Sequence, residues 1–192
     1  MRRIVSTAVR LAENGGFDGV RLRDVAEQSD VALGTLYKYF RSKEDILLFA
    51  LSEELERLEG GLAKRPAVGR TKLARLSDLF QRATRGLIRR PPFARAALRS
   101  MAVGDRGTAL KIAGYQLRVT RLVVAALHGE PPDLKAPLDP APGTERERSI
   151  AFALQNVWFS TLVGWAVGLH PDEKILEHVH SAATLMLQGS GD

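Results

Sequence analysis

Apolar residues recur at three- and four-residue intervals along almost the whole chain, and no stretch alternates with period two long enough to suggest a sheet strand. The pattern predicts an all-α protein. Ile4, Ala8, Leu11 and Ala12 make one helical stripe, stopped by Asn14-Gly15-Gly16. A short helix is expected over about 22–29, a tight break at Asp30-Val31-Ala32, and a second short helix over about 33–40. Ser42 is placed to cap the next helix, and Glu44 and Asp45 in its first turn suit the macrodipole. That helix is expected to end at Gly60-Gly61. Further helices are expected over about 71–89, 92–103, 108–127, 144–169 and 171–187. They are separated by Pro91-Pro92, by the break at 104–107 and by a loop over 129–143 with prolines at 131, 132, 137, 140 and 142. Residues 64–69 read as a connector and 189–192 as a frayed tail.

Two short helices joined by a tight turn, after a longer helix, describe a helix-turn-helix unit. Val25 and Ala26 on the first short helix must meet Leu36 and Phe40 on the second, and the small Ala26 permits close crossing. Val31 fills the turn. Leu33, Gly34, Thr35, Tyr37, Lys38 and Tyr39 then face outward. Such a set suits a DNA major groove: Lys donates to guanine or phosphate, Thr and Tyr hydrogen-bond or touch a thymine methyl, and Gly lets the backbone approach closely.

The run Val31-Ala32-Leu33-Gly34-Thr35-Leu36-Tyr37-Lys38-Tyr39-Phe40, followed by Arg41-Ser42-Lys43-Glu44-Asp45-Ile46-Leu47, resembles the DNA-binding signature of the TetR family of bacterial transcriptional regulators. The spacing from Phe17 through Arg23-Asp24-Val25-Ala26 agrees. The stretch from Asn156 through Trp158 and Leu162 to Trp165 is similar to the steroid- and lipid-catabolism repressors of that family, the KstR-like group. The resemblance implies DNA contacts from Thr35, Tyr37, Lys38 and Tyr39, a phosphate contact from Lys43, and a backbone or base-edge contact from Arg23. It implies a DNA-binding module over residues 1–48, a helical effector-binding and dimerisation domain over 49–192, and a homodimer through the last two helices. Arg21 and Ala32 stand where the family usually has capping hydroxyls, and Asp30 stands where it usually has Gly. Each missing cap is worth about 0.5–2 kcal/mol.

Composition narrows the remaining classes. The 192 residues are 45% hydrophobic and 26% charged, which excludes disorder. The absence of cysteine excludes disulfides, thiolate metal sites and a Cys nucleophile. His128, His170, His178 and His180 show no metal-binding spacing, and no phosphate loop or catalytic triad pattern is present, so neither an enzyme nor a cofactor is expected. Residues 149–171 carry no formal charge, but Gln155-Asn156 and Ser160-Thr161 near their middle predict a buried helix, not a membrane span. No signal peptide is read at the N-terminus, and a cytoplasmic protein is expected. The net charge of +6 is concentrated: residues 61–121 hold 15 basic and 2 acidic groups. That suggests an anionic partner, and Arg75, Arg82, Arg85 and Arg89 are candidates for an anionic-ligand portal.

The C-terminal helices offer Leu76, Phe80, Met101, Tyr115, Val119, Asn156, Trp158 and Leu162 as candidate lining for an apolar effector cavity. Asn156 needs a partner if buried: a ligand, a neighbouring helix or a second subunit. The 144–169 helix is apolar on two faces, one for its own subunit and one for a partner. Together these readings predict a repressor that binds a palindromic double-stranded operator as a dimer. A small hydrophobic effector, an acyl-CoA or steroid-like molecule, releases it. The alternatives are a multidrug-sensing repressor of an efflux gene and a non-DNA-binding coactivator on the same fold.

Overall fold

A computed structural model of the chain describes residues 1–103 and 106–188. Gly104 and Asp105 of the expected 104–107 break, and the tail 189–192, lie outside the described residues. Among the described residues the structure is helical throughout, with no strand: α1 Arg2–Gly15, α2 Leu22–Gln28, α3 Leu33–Tyr39, α4 Lys43–Lys64, α5 Lys72–Ile88, α6 Pro91–Ala102, α7 Arg106–His128, α8 Glu145–Ala166 and α9 Glu173–Gln188.

Local chemistry explains most boundaries. Gly16 adopts φ 60 after α1 and its N–H bonds the Ala12 carbonyl at 2.9 Å, a left-handed stop that glycine takes without steric cost. Prolines open α6, where a missing N–H costs nothing. α8 starts with a capping box: the Thr144 hydroxyl accepts from the Glu147 N–H and the Glu147 carboxylate accepts from the Thr144 N–H. His128, at the end of α7, lies 2.7 Å from the same Glu147.

One boundary departs from the sequence expectation. α4 continues through Gly60-Gly61 to Lys64. Two helical glycines cost about 0.5–1 kcal/mol each relative to alanine. Tertiary contacts on either side offset that cost: Leu55 and Leu62 are buried, and Glu59 between them is paired with Arg118 and Arg121.

The chain divides into two compact units. The first comprises Met1–Glu54 and Leu87–Ile112, the second Leu55–Gly86 and Ala113–Asp192. The first unit therefore reaches beyond the three N-terminal helices, because α6 packs on α1. Arg90 at the head of α6 is ion-paired with Glu13 of α1 and Glu54 of α4. The core of this unit is Ile4, Val20, Leu36, Ile46, Leu47 and Phe93. In the second unit α8 packs on α9, and Leu76, Phe80, Leu127, Leu154, Leu162 and Ile175 are fully buried. Among the described residues no helix is long and apolar enough to cross a membrane.

Candidate DNA-binding surface and effector region

The α2–turn–α3 unit is built from its buried side. Val25 and Ala26 of α2 and Leu36 and Phe40 of the α3 segment are all buried. Phe40 also meets Phe49 of α4 edge-on at 5.6 Å. The buried Ser29 hydroxyl donates to the Val25 carbonyl at 2.6 Å, closing the end of α2. Asp30 then takes φ 55 and the Val31 N–H bonds the Ala26 carbonyl at 3.0 Å. Asp tolerates this left-handed geometry better than most residues, so the chain turns sharply without glycine. Neither Arg21 nor Ala32 makes a side-chain cap, in keeping with their lack of short hydroxyls.

With Leu36 fixed inward, helical geometry puts the rest of α3 on the surface. Gly34, Thr35 and Lys38 are exposed, Tyr37 and Tyr39 are 51% and 56% exposed, and Leu33 is half-buried. Two tyrosines and a lysine side by side in water on one short helix gain little from the fold itself. Arg23 is exposed on α2. Lys43 has an internal occupation in addition to any outward one. Its ammonium donates to the Phe17 carbonyl at 3.1 Å, lies 3.9 Å over the Phe17 ring and 3.7 Å from Asp18. An ammonium has three donors, so a phosphate contact here shares Lys43 with the loop after α1.

Other groups of the first unit fix the start of α4. The Ser42 hydroxyl accepts from the Asp45 N–H at 3.3 Å, as its position in the sequence predicts. The buried Asp45 accepts from the Arg41 N–H at 3.0 Å and from Lys111 of α7 at 2.6 Å. The guanidinium of Arg99 on α6 lies 4.4 Å from the centre of the same Phe17 ring and pairs with Asp18 at 2.9 Å. Sequence reasoning missed Asp18, Arg99 and Lys111, and saw in Asp45 only a contribution to the macrodipole. Their partners are up to 81 residues away, and local patterns carry no signal at that range.

The residues expected to line an effector cavity separate in the structure. Met101 is half-buried on α6 in the first unit; the other seven lie in the second. Leu76, Phe80, Val119, Trp158 and Leu162 are buried. Phe80 meets Trp158 edge-on at 5.7 Å, and the Trp158 indole donates to the Thr84 hydroxyl at 2.9 Å. Asn156 is exposed, and its amide donates to the Phe152 carbonyl one turn back at 2.6 Å. It therefore lies on the outer face of α8, with Phe152 and Val163 and with Val167 just past the helix end, and not among the buried candidates. A groove of about 470 Å³ runs between α5 and α9, lined by Ala74, Ser77, Asp78, Phe80, Gln81, Leu176, Val179 and His180. Of the expected residues it includes only Phe80. Tyr115 is half-buried, and desolvation pushes its hydroxyl well above the ordinary tyrosine range, so it remains a neutral donor.

Of the four arginines expected to form an anionic-ligand portal, two are engaged by the fold. Arg75 donates to the Ala126 and Leu127 carbonyls at 2.7 Å each, satisfying the end of α7. Arg82 bonds the Arg65 carbonyl at 2.8 Å and pairs with Asp78 at 2.7 Å. Both are occupied by the fold, while Arg85 and Arg89 are exposed.

Residues 4–49 match the family described as "Bacterial regulatory proteins, tetR family", and residues 69–186 match that described as "Tetracyclin repressor-like, C-terminal domain". The chain belongs to the TetR family. The HTH-type transcriptional repressor KstR of Rhodococcus jostii (strain RHA1) is 34% identical over 164 residues, covering 85% of this chain and 71% of that protein. Among solved structures, a TetR transcriptional regulator from Rhodococcus sp. RHA1 superposes with TM-score 0.81 at 23% identity, covering 98% of this chain and 96% of that one. The TetR-family repressor FadR of Thermus thermophilus, solved in complex with lauroyl-CoA, gives TM-score 0.76 at 23% identity, covering 98% and 94%. The all-helical architecture with an N-terminal helix-turn-helix is thus the TetR fold, and the chain is a transcriptional regulator of that family.

In this TetR-family chain the sequence also understated one cluster. Glu59 sits between Leu55 and Leu62 on the buried stripe of α4, and an acid at such a position demands a partner. Arg118 binds it through two nitrogens at 3.1 and 2.5 Å, and Arg121 through one at 2.8 Å. Burial alone would raise the Glu59 carboxyl. The hydrogen bonds from Arg118 and Arg121 outweigh it and hold the group below its ordinary value.

Proposed function

We propose that this regulator is a repressor that binds an inverted-repeat operator as a homodimer and is released by a hydrophobic effector, with an acyl-CoA as the leading class. The observation that carries the DNA-reading part is the two-sidedness of α3. Leu36 is fully buried, while Thr35, Tyr37, Lys38 and Tyr39 stand exposed on the opposite face. Thr35, Tyr37 and Tyr39 are assigned to base edges and sugars, Lys38 to guanine or phosphate, and Arg23 and Lys43 to the DNA backbone. Leu33 and Gly34 at the head of α3 allow close backbone approach.

The dimer is assigned to the outer faces of α8 and α9. Phe152 and Val163 are exposed on α8, Val167 just past its end, and Leu185 on α9. A second copy related by a two-fold axis would cover them with the same residues. Two recognition helices would then enter successive major grooves about 34–36 Å apart. Asn156, at the centre of the α8 face, is assigned to this interface and no longer to the effector.

Support for an acyl-CoA effector comes from the lauroyl-CoA held by the Thermus thermophilus relative. Leu76, Phe80, Tyr115, Val119, Trp158 and Leu162 are the proposed walls, to be opened when the ligand enters. The ligand acts only through its different affinity for the DNA-bound and released conformers.

Selection of binding sequences from random DNA tests the reading. It predicts a two-fold symmetric site, and release of that site by lauroyl-CoA. A selected set without symmetry, or no enrichment at all, contradicts it.

A further inference from the structure

The link between α3 and α4 is held from a distant helix. Phe40, Arg41 and Ser42 are all that separates the two. α3 has seven residues, of which Leu36 is the buried one, so the direction in which α3 points depends on how that link is fixed. The Asp45 carboxylate fixes it. One oxygen accepts from the Arg41 N–H at 3.0 Å, and the other accepts from the Lys111 ammonium at 2.6 Å. The Asp45 side chain is 12% exposed, so water competes little for either bond. Lys111 stands 66 positions further along the chain, on α7, and both residues belong to the first unit.

The other restraints on the link are local. The Ser42 hydroxyl accepts from the Asp45 N–H, and the buried Phe40 ring meets Phe49. Both hold the link to α4 itself. The bond from Lys111 ties it to a helix outside the helix-turn-helix segment. A carboxylate at this depth that loses its cation regains water by turning outward. In turning it releases the Arg41 N–H. The Lys111 ammonium is directed at this nearly buried carboxylate and not at the face that carries Tyr37 and Lys38.

We propose that Lys111 is a positioning residue for DNA recognition: through Asp45 and the Arg41 N–H it sets the aim of α3 without touching the duplex. The assignment rests on the reading above that α3 meets DNA, and adds to it a residue of α7.

The test measures binding of the selected operator by the full-length protein across a NaCl series. The proteins are the wild type, Lys38→Ala, Lys111→Met, Lys111→Arg, Asp45→Asn, and Asp45→Asn combined with Lys111→Met. Lys111→Met is expected to weaken binding about tenfold, the size expected of one hydrogen bond to a charged group. Its salt slope should equal that of the wild type, because no phosphate contact is lost. Lys111→Arg keeps the cation and should restore most of the affinity. The double variant should bind no more weakly than Lys111→Met, since both substitutions break one pair. A readout without DNA is amide hydrogen exchange, expected to quicken at Arg41 in Lys111→Met beyond any change in global stability. Unchanged operator affinity in a folded Lys111→Met overturns the proposal and leaves the pair to stability alone. A slope shallower by about 1 overturns it in favour of a direct phosphate contact. Additive losses in the double variant overturn it too, because Lys111 then acts apart from Asp45. If Lys111→Met does not fold, Asp45→Asn decides: it keeps an oxygen for the Arg41 N–H, loses the ion pair, and is expected to weaken binding with the slope unchanged. Superimposable curves for the wild type and Lys38→Ala remove α3 from the duplex and this proposal with it. Weakened binding in Lys38→Ala beside unchanged binding in Lys111→Met removes this proposal only.

Discussion

A side chain built at Gly34 meets no atom within 4 Å, so the fold itself gives no reason for glycine on that face. The proposed reason is DNA lying against it. Gly34→Ala is therefore expected to raise stability by about 0.4–1 kcal/mol and to weaken operator binding about tenfold. Chemical denaturation and a gel-shift titration on the same preparation check the two halves; equal or tighter operator binding would remove Gly34 from the contact surface. Glu59 shows the opposite balance, with its partners inside the fold. Glu59→Gln leaves two arginines without their central carboxylate and is expected to cost about 3–5 kcal/mol. Because the Glu59 carboxyl is held below its ordinary value of 4.5, its stabilisation is complete above that pH. It is lost as the pH falls through the lower folded value. Acid titration of stability should accordingly be flatter below pH 4.5 in Glu59→Gln than in the wild type. The inward and outward residues of α3 were legible in the sequence because one short helix and one turn decide them. Glu59 was not, because Arg121 stands 62 positions away.

At the scale of elements, helix existence followed from apolar periodicity, and ends followed where a local device sets them, as at Gly16 and Ser42. Gly60-Gly61 misled because local propensity points to an end while buried residues on both sides carry α4 through. Asn156 misled for a related reason. An amide within an apolar stretch reads as buried, yet α8 has two apolar faces and Asn156 lies on the open one, opposite Leu154 and Trp158. Phe152 is 60% exposed and Val167 76% exposed on that face. Val163→Glu, which adds a charge beside them, is expected to leave the secondary structure of the protomer unchanged and to convert a dimer to a monomer. Sedimentation velocity at micromolar protein checks this, and a dimer that persists in Val163→Glu places the subunit contact elsewhere.

For the molecule as a whole, the excess of basic residues over 61–121 suggested a broad anion-binding surface. The structure spends much of it inside: Arg75 and Arg82 on carbonyls, Arg90 and Arg99 on acids of the first unit, Arg118 and Arg121 on Glu59. Charge counts reveal quantity, not partners. The attraction to DNA is then assigned chiefly to α3 and its surroundings in the first unit, where Lys38, Arg21, Arg23 and Arg41 are exposed. Salt dependence decides that assignment. Operator affinity would be measured by fluorescence anisotropy across a series of NaCl concentrations for the wild type and for Lys38→Ala. The wild-type affinity should fall linearly on logarithmic axes, and Lys38→Ala should bind more weakly with a slope shallower by about 1. Superimposable curves for the two proteins would contradict the claim that this helix meets the duplex.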